Sequence, residues 1–212
     1  VIQTAGDISN YFSNIWPISF FSFEDLRLFF SLVLIAISCI IMGAGIPTTA
    51  TYIILVAVAA PALAQLGIEP LVAHFFVFYY GVLADITPPV ALAAYAASGI
   101  AKSNPFKTGN TAFRLGIAKA LVPFVFVYSP SLLLITGEFQ TNQLIITLIG
   151  TLIGIALIGI AFSGYWFRTL RKYEQIIIGI GSLFFVAPGI KSMVFGFLII
   201  LPMLFLQFLK KN

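Results

Sequence analysis

Residues 40–64, IIMGAGIPTTATYIILVAVAAPALA, are apolar enough to lie in a bilayer, yet two glycines, a proline and two threonines interrupt them. Residues 79–101, YYGVLADITPPVALAAYAASGIA, repeat the design with an aspartate and two prolines at the break. A helix broken in hydrocarbon leaves N–H and C=O groups that each cost several kcal/mol unless protein or a polar cavity satisfies them. Whether this matters depends on the medium, and composition supplies the answer. Hydrophobic residues make up 60% of the chain, charged residues 8%, and mean hydropathy is +1.08, against roughly 45–50% apolar and 25% charged in a soluble domain. Apolar runs near the roughly 20 residues needed to cross hydrocarbon recur without the period-2 alternation of a membrane barrel. The expected fold class is an all-α integral membrane protein in a lipid bilayer, with no nucleic-acid partner.

The chain divides into three parts. Residues 1–25 mix Phe, Ile and Trp with Asn, Ser and Asp around Pro17, and read as an interfacial segment that does not cross. Residues 26–101 contain the breaks: an apolar arm to Met42, a break at Gly43–Thr48, an arm from Thr49 to Leu66, the turn GIEP, an arm from Leu71 to Ala84, the break DITPP, and an arm from Val90 to Ala101. Residues 102–212 supply further transmembrane helices. There KSNPFKTGNT reads as a polar basic loop, 112–135 and 144–164 as ordinary spans, FRTLRKYE as a second basic loop, and 175–209 as two apolar segments divided at Pro188-Gly189. Gly150 and Gly154 form a small-xxx-small pair that suits helix packing. Cys39, the single cysteine, lies in an apolar run, which excludes a disulfide framework and suits a small buried side chain. The chain opens on Val1 without a basic, cleavable leader, so residues upstream are expected.

Charge sets the expected orientation. If 26–66 returns to its starting side and 71–101 crosses once, Lys102, Lys107, Arg114, Lys119, Arg168, Arg171, Lys172, Lys210 and Lys211 share one side, and only Arg27 and Lys191 of the 11 basic residues fall on the other. The positive-inside rule makes the richer side cytoplasmic, C-terminus included. Glu24, Asp25, Glu69 and Glu138 then lie outside.

Each break offers the same chemistry. Ahead of it, a helix end presents carbonyls with partial negative charge; beyond it, a new helix presents N–H groups with partial positive charge. Gly43 and Gly45 permit unusual dihedrals, Pro47 withholds a donor, and Thr48 or Thr49 can cap the next helix or offer a hydroxyl ligand. At the second break Asp85 adds a carboxylate, Thr87 is the candidate N-cap, and Pro88-Pro89 are the expected first helical residues. Oxygen ligands with a carboxylate suit a hard monovalent cation, and the two N-terminal ends suit an anionic substrate. The ion-binding candidates are therefore Gly43, Gly45, Pro47, Thr48, Thr49, Asp85 and Thr87, and the substrate-binding candidates Thr48, Thr49, Thr87 and Pro88.

MGAGIPTTATYIILVAVAAPAL, AHFFVFYYGVLADITPPVALAAYAASGIA and PFVFVYSPSLLL resemble the C-terminal half of the large membrane subunit of TRAP transporters, the tripartite ATP-independent periplasmic transporters. They look most like the fused permeases that work with TAXI-type binding proteins. The resemblance covers residues 28–136, and beyond them only a general pattern of hydrophobic segments. It implies half of an elevator-type transporter, with 26–66 a helical hairpin and 71–101 a discontinuous transmembrane helix. It also implies a bacterial inner-membrane location and ion-coupled uptake of an organic acid delivered by a periplasmic substrate-binding protein. No cofactor is expected; the coupling ion is expected to be sodium, with a proton as the alternative that Asp85 keeps open. The first hairpin, its broken helix and the small-subunit helices are absent from this sequence, so the N-terminal remainder of the permease is an expected partner.

Plainer readings stand beside these. GAGIPTT is uncharged, where a loop joining two spans outside the membrane would normally carry charge. His74, the sole histidine, suits a hydrogen-bonded structural role better than a proton relay. An intramembrane hydrolase built from Asp85, His74 and Ser98 is the alternative from another class, but no nucleophile elbow or zinc motif accompanies them. A structural membrane-anchoring subunit would leave both breaks unexplained.

Overall fold

A computed structural model describes residues 2–15, 23–134, 141–187 and 189–209 of the chain. Helix α1 (Ile2–Ile15) packs on α2 (Phe23–Gly43); α3 (Thr48–Gln65) follows after a four-residue tip, and α4 (Pro70–Ala84) follows after a turn. Leu32, Cys39, Leu55, Leu63, Phe76 and Tyr80 form a buried core among α2, α3 and α4. Cys39 is thus a small buried side chain. The order of the helices matters for the site. Gly43, at the end of α2, packs against Ala84 at the end of α4, so these two helices run the same way, while α3 returns against them, its Thr51 and Leu55 beside Gly81.

After the second break come α5 (Leu92–Ile100) and α6 (Pro105–Gly116). The expected polar loop at 102–111 is mostly helix. Asn104-Pro105, which reads as a turn, serves instead as N-cap and first helical residue: the Asn104 side chain accepts from the Lys107 N–H at 3.0 Å, and proline at this position forfeits a donor that has no partner anyway. The expected ordinary span at 112–135 is likewise interrupted. It becomes the end of α6, a 3₁₀ segment (Ile117–Leu121), α7 (Val122–Tyr128), and a second 3₁₀ turn (Pro130–Leu133), because Pro130 cannot continue α7. Tyr80 ties this region to α4, donating to the Ala120 carbonyl at 2.6 Å.

Helices α8 (Thr141–Ser163), α9 (Lys172–Val186) and α10 (Ile190–Leu209) form an antiparallel bundle with its own core of Leu157, Ala161, Ile178, Phe185 and Ile200. Glycines set its spacing. A Cβ on Gly150 would lie 2.6 Å from the Phe185 carbonyl, one on Gly154 3.1 Å from that of Ser182, and one on Gly196 2.9 Å from that of Gly181. The Gly150/Gly154 pair is therefore a packing face. The division at 188–189 falls between α9 and α10, although Pro188 lies outside the described residues.

Among the described residues there is no strand, only a single bridge between Tyr165 and Thr169. Five helical stretches are long and apolar enough to cross a membrane: Glu24–Gly43, Thr48–Gln65, Pro105–Tyr128, Thr141–Ser163 and Ile190–Gln207. The molecule is an all-α integral membrane protein.

Candidate functional site

The two breaks meet. Thr48, the first residue of α3, donates its hydroxyl to Oδ2 of Asp85, the residue that ends α4, at 2.8 Å. Gly45 at the hairpin tip and Val90 in the second break are also neighbours, since a Cβ on the glycine would lie 3.5 Å from the valine Cγ1. The C-terminal ends of α2 and α4 and the N-terminal end of α3 thus converge on one place, gathering two carbonyl ends and one N–H end.

The glycines of the tip have different reasons to be glycine. Gly43 is buried, and a Cβ there would lie 2.9 Å from Ala84 Cβ and 3.0 Å from Thr51 Cγ2. Gly45 has φ +85°, a left-handed turn that a side chain would strain. Pro47 is the N-cap residue of α3, exposed and extended, and Thr49 is exposed with no side-chain hydrogen bond among the described residues. Neither Thr48 nor Thr49 caps α3, since Thr48 is committed to Asp85 and Thr49 makes no such bond; Thr51, one turn in, donates to the Ile46 carbonyl at 3.1 Å.

The second break is longer than DITPP. It runs from Asp85 to Ala91, and α5 begins at Leu92, not at Pro88-Pro89. Each proline disfavours the helical region for the residue before it, so Thr87 and Pro88 are both pushed out of the helix. Thr87 is not the N-cap of α5, because its hydroxyl turns back to the Leu83 carbonyl at 2.7 Å, which also accepts the Ile86 N–H at 3.2 Å. Ala91 takes the cap position, left-handed at φ 37° and without a side-chain bond. The segment is tied across its width by Ala93 N–H to the Asp85 carbonyl at 3.1 Å and by the Tyr95 hydroxyl to the Pro89 carbonyl at 2.6 Å.

The carbonyls of Ala44, Gly45, Ile86, Pro88 and Val90 accept no hydrogen bond among the described residues. Asp85, Thr48, Thr87 and Pro88 are all half-buried. The place therefore holds one carboxylate, hydroxyls and spare carbonyl oxygens, a donor set that suits a hard cation and offers nothing soft. Among the described residues no group of three or more His, Cys, Asp or Glu is gathered.

The hydrolase constellation is not assembled. His74 Nδ1 pairs with the Tyr52 hydroxyl at 2.7 Å, Ser98 donates to the Tyr95 carbonyl at 2.7 Å, and Asp85 is held by Thr48. His74 thus joins α3 to α4 as a structural residue. Tyr95 and Thr51 escaped the sequence reading. Tyr95 carried a signal, being the one large side chain in the otherwise small-residue run LAAYAASG.

Residues 20–141 match the family model described as the tripartite ATP-independent periplasmic transporter, DctM component. No curated protein and no solved structure matches the chain.

Proposed function

The chain belongs to the DctM component family of the tripartite ATP-independent periplasmic transporters, and on that premise we propose that it carries half of the transport site of an ion-coupled permease. It is a transporter component, not an enzyme. Its substrate is an organic acid handed over by a periplasmic binding protein, and the N-terminal remainder of a fused, TAXI-type permease supplies the other half-site. Residues 26–66 and 71–101 move together as one half of an elevator-type transport domain in the inner membrane, with the basic ends of the helices and the C-terminus in the cytoplasm.

The observation that carries this reading is the Thr48–Asp85 hydrogen bond of 2.8 Å, which joins two helix breaks that lie 37 residues apart. Gly43, Gly45, Pro47, Thr48, Thr49, Asp85 and Thr87 line the cation site, through backbone carbonyls, hydroxyls and the Asp85 carboxylate. Thr48, Thr49, Thr87 and Pro88 face the substrate carboxylate, where the N-terminal end of α3 favours negative charge. Sodium is the coupling ion of this reading, a hard cation that suits the hydroxyl, carbonyl and carboxylate oxygens gathered where the two breaks meet.

Uptake by the complete permease with its binding protein, reconstituted in vesicles under separate sodium and pH gradients, tests the assignment. Asp85→Asn keeps the carbonyl ligands, so it is expected to weaken sodium dependence while retaining transport. Loss of pH-driven accumulation alone would transfer the coupling to protons. Wild-type gradient dependence in a well-folded variant would remove Asp85 from the mechanism.

A further inference from the structure

Helix α3 enters its first turn without a side-chain cap, directly after a tip whose Gly45 is left-handed. Where the Thr48 hydroxyl sits therefore depends on how this arm is held against α4. Among the described residues, two side-chain hydrogen bonds join α3 to α4 and its end: Thr48 to Asp85 at 2.8 Å, and the Tyr52 hydroxyl with His74 Nδ1 at 2.7 Å. Thr48 and Tyr52 are one helical turn apart and share a face of α3. His74 and Asp85 are three turns apart, on one stripe of α4 and its cap. The Tyr52 ring is fixed along that stripe as well, with its centroid 6.1 Å from the imidazole and 5.9 Å from Phe78, which it meets edge-on.

The two ties have different slants. Measured from the helix break, Tyr52 stands about 6 Å along α3 and His74 about 16 Å along α4, at a rise of 1.5 Å per residue. Thr48–Asp85 thus crosses directly between the helices, whereas Tyr52–His74 runs obliquely, offset by about 10 Å along their length. A direct tie resists splaying; an oblique one resists sliding. Packing constrains sliding less, because where α3 meets Gly81 it lays the methyl groups of Thr51 and Leu55 on a residue with no side chain. From these features we propose that Tyr52 and His74 are positioning residues of the ion site, a diagonal brace that keeps α3 in register on α4 and the Thr48 hydroxyl on the Asp85 carboxyl. The inference rests on the ion-coupled reading above, and neither residue touches ion or substrate. A slide of about 1 Å would carry the Thr48 hydroxyl beyond hydrogen-bond range of Asp85. Phenol and neutral imidazole can each donate or accept, so the brace persists in either tautomer of His74.

Sodium-dependent uptake by the complete permease in vesicles tests this. Tyr52→Phe keeps the ring and its contact with Phe78 while removing the hydroxyl. It is expected to raise the half-saturating sodium concentration by about two- to tenfold, the range of a single hydrogen bond, with the maximal rate retained. His74→Leu should do the same, and His74→Asn, whose amide takes the place of Nδ1, should restore the wild-type value. Because the brace acts through Thr48, Tyr52→Phe should cost no more than Thr48→Val and should add nothing to it in the double variant. A Tyr52→Phe shift that adds in full to that of Thr48→Val would overturn the brace, as would a lowered maximal rate at unchanged sodium affinity, the mark of a merely structural contact. If Thr48→Val and Asp85→Asn themselves leave the sodium dependence unchanged, the ion site fails and the brace falls with it, an outcome distinct from the other two.

Discussion

Thr48 and Thr49 are adjacent and chemically alike, but only Thr48 donates its hydroxyl to a carboxyl group. A hydrogen bond contributes about 0.5–1.5 kcal/mol net, so Thr48→Val, which keeps the shape and leaves Asp85 Oδ2 without its donor, is expected to weaken apparent sodium affinity by about two- to tenfold. Thr49→Val should change it by less than that, through any ligand role of its exposed hydroxyl. Uptake measured against sodium concentration distinguishes them, and an unchanged sodium dependence in both variants would count against a cation site at this tip. Gly45 is subject to a different constraint. At φ +85° an alanine costs about 1–2 kcal/mol of backbone strain, so Gly45→Ala should impair the tip although the space beside Val90 admits a methyl group.

At the scale of elements, α6 braces the second break from behind. Gly109 and Gly116 lie seven residues apart on one face of that helix; a Cβ on Gly109 would lie 2.8 Å from Tyr95 Cε1, and one on Gly116 would overlap Ile86 Cδ1. The Tyr95 ring is rigid and its hydroxyl holds the Pro89 carbonyl, while Ile86 Cδ1 is the free end of a flexible side chain. Gly109→Ala is therefore expected to disturb the break more than Gly116→Ala, and Ile86→Val, which removes the overlapping methyl, should rescue Gly116→Ala but not Gly109→Ala. Thermal unfolding of the double variants reads this as a coupling of about 0.5–3 kcal/mol confined to the Gly116–Ile86 pair. None of this bracing was readable from residues 102–111, and the reason is physical. NPFKTGNT is polar, and Asn-Pro opens a turn or a helix with the same two side-chain properties; only the later packing of Gly109 on Tyr95 decides between them. The breaks themselves were readable because glycine and proline act locally, within a residue or two. Their meeting was not, since the Thr48–Asp85 bond depends on α2 and α4 running side by side, which no local pattern encodes. The role of Thr87 was missed for a related reason: a threonine can cap forwards or satisfy a carbonyl behind it, and the prolines that follow removed the forward choice.

On the scale of the whole molecule, the α8–α10 bundle lies beyond the matched residues 20–141 and touches the rest chiefly through α8. One end of it is locked by Glu174, which is buried in the first turn of α9 and accepts from Arg168 at 2.6 Å, from the Arg171 N–H at 2.8 Å and from Gln207 on α10 at 3.5 Å. Burial raises the carboxyl, but the Arg171 N–H, the Arg168 hydrogen bond and the charges of both arginines outweigh it and hold the group below its ordinary value. A depressed carboxylate contributes stability that is complete above its unfolded value and lost as pH falls through the folded one. The bundle's thermal stability is therefore expected to be level from neutral pH to the ordinary carboxylate range and to fall below it, and Glu174→Gln should remove that acid limb. It should also cost stability at neutral pH, about 3–5 kcal/mol if the loss resembles that of other buried pairs deprived of one partner. The same lock bears on orientation. Arg114 donates to the Phe162 carbonyl at 2.8 Å, which places α6 beside the C-terminal end of α8, the end that carries Arg168, Arg171 and Glu174. If this shared basic end is cytoplasmic, cysteines at Thr108 and Thr169 react with an impermeant reagent only from inside the cell, and one at Asn142, at the opposite end of α8, only from outside. Labelling of Thr108 and Thr169 from opposite sides would break the geometric link made by Arg114; labelling of both from outside would keep that link and invert the molecule.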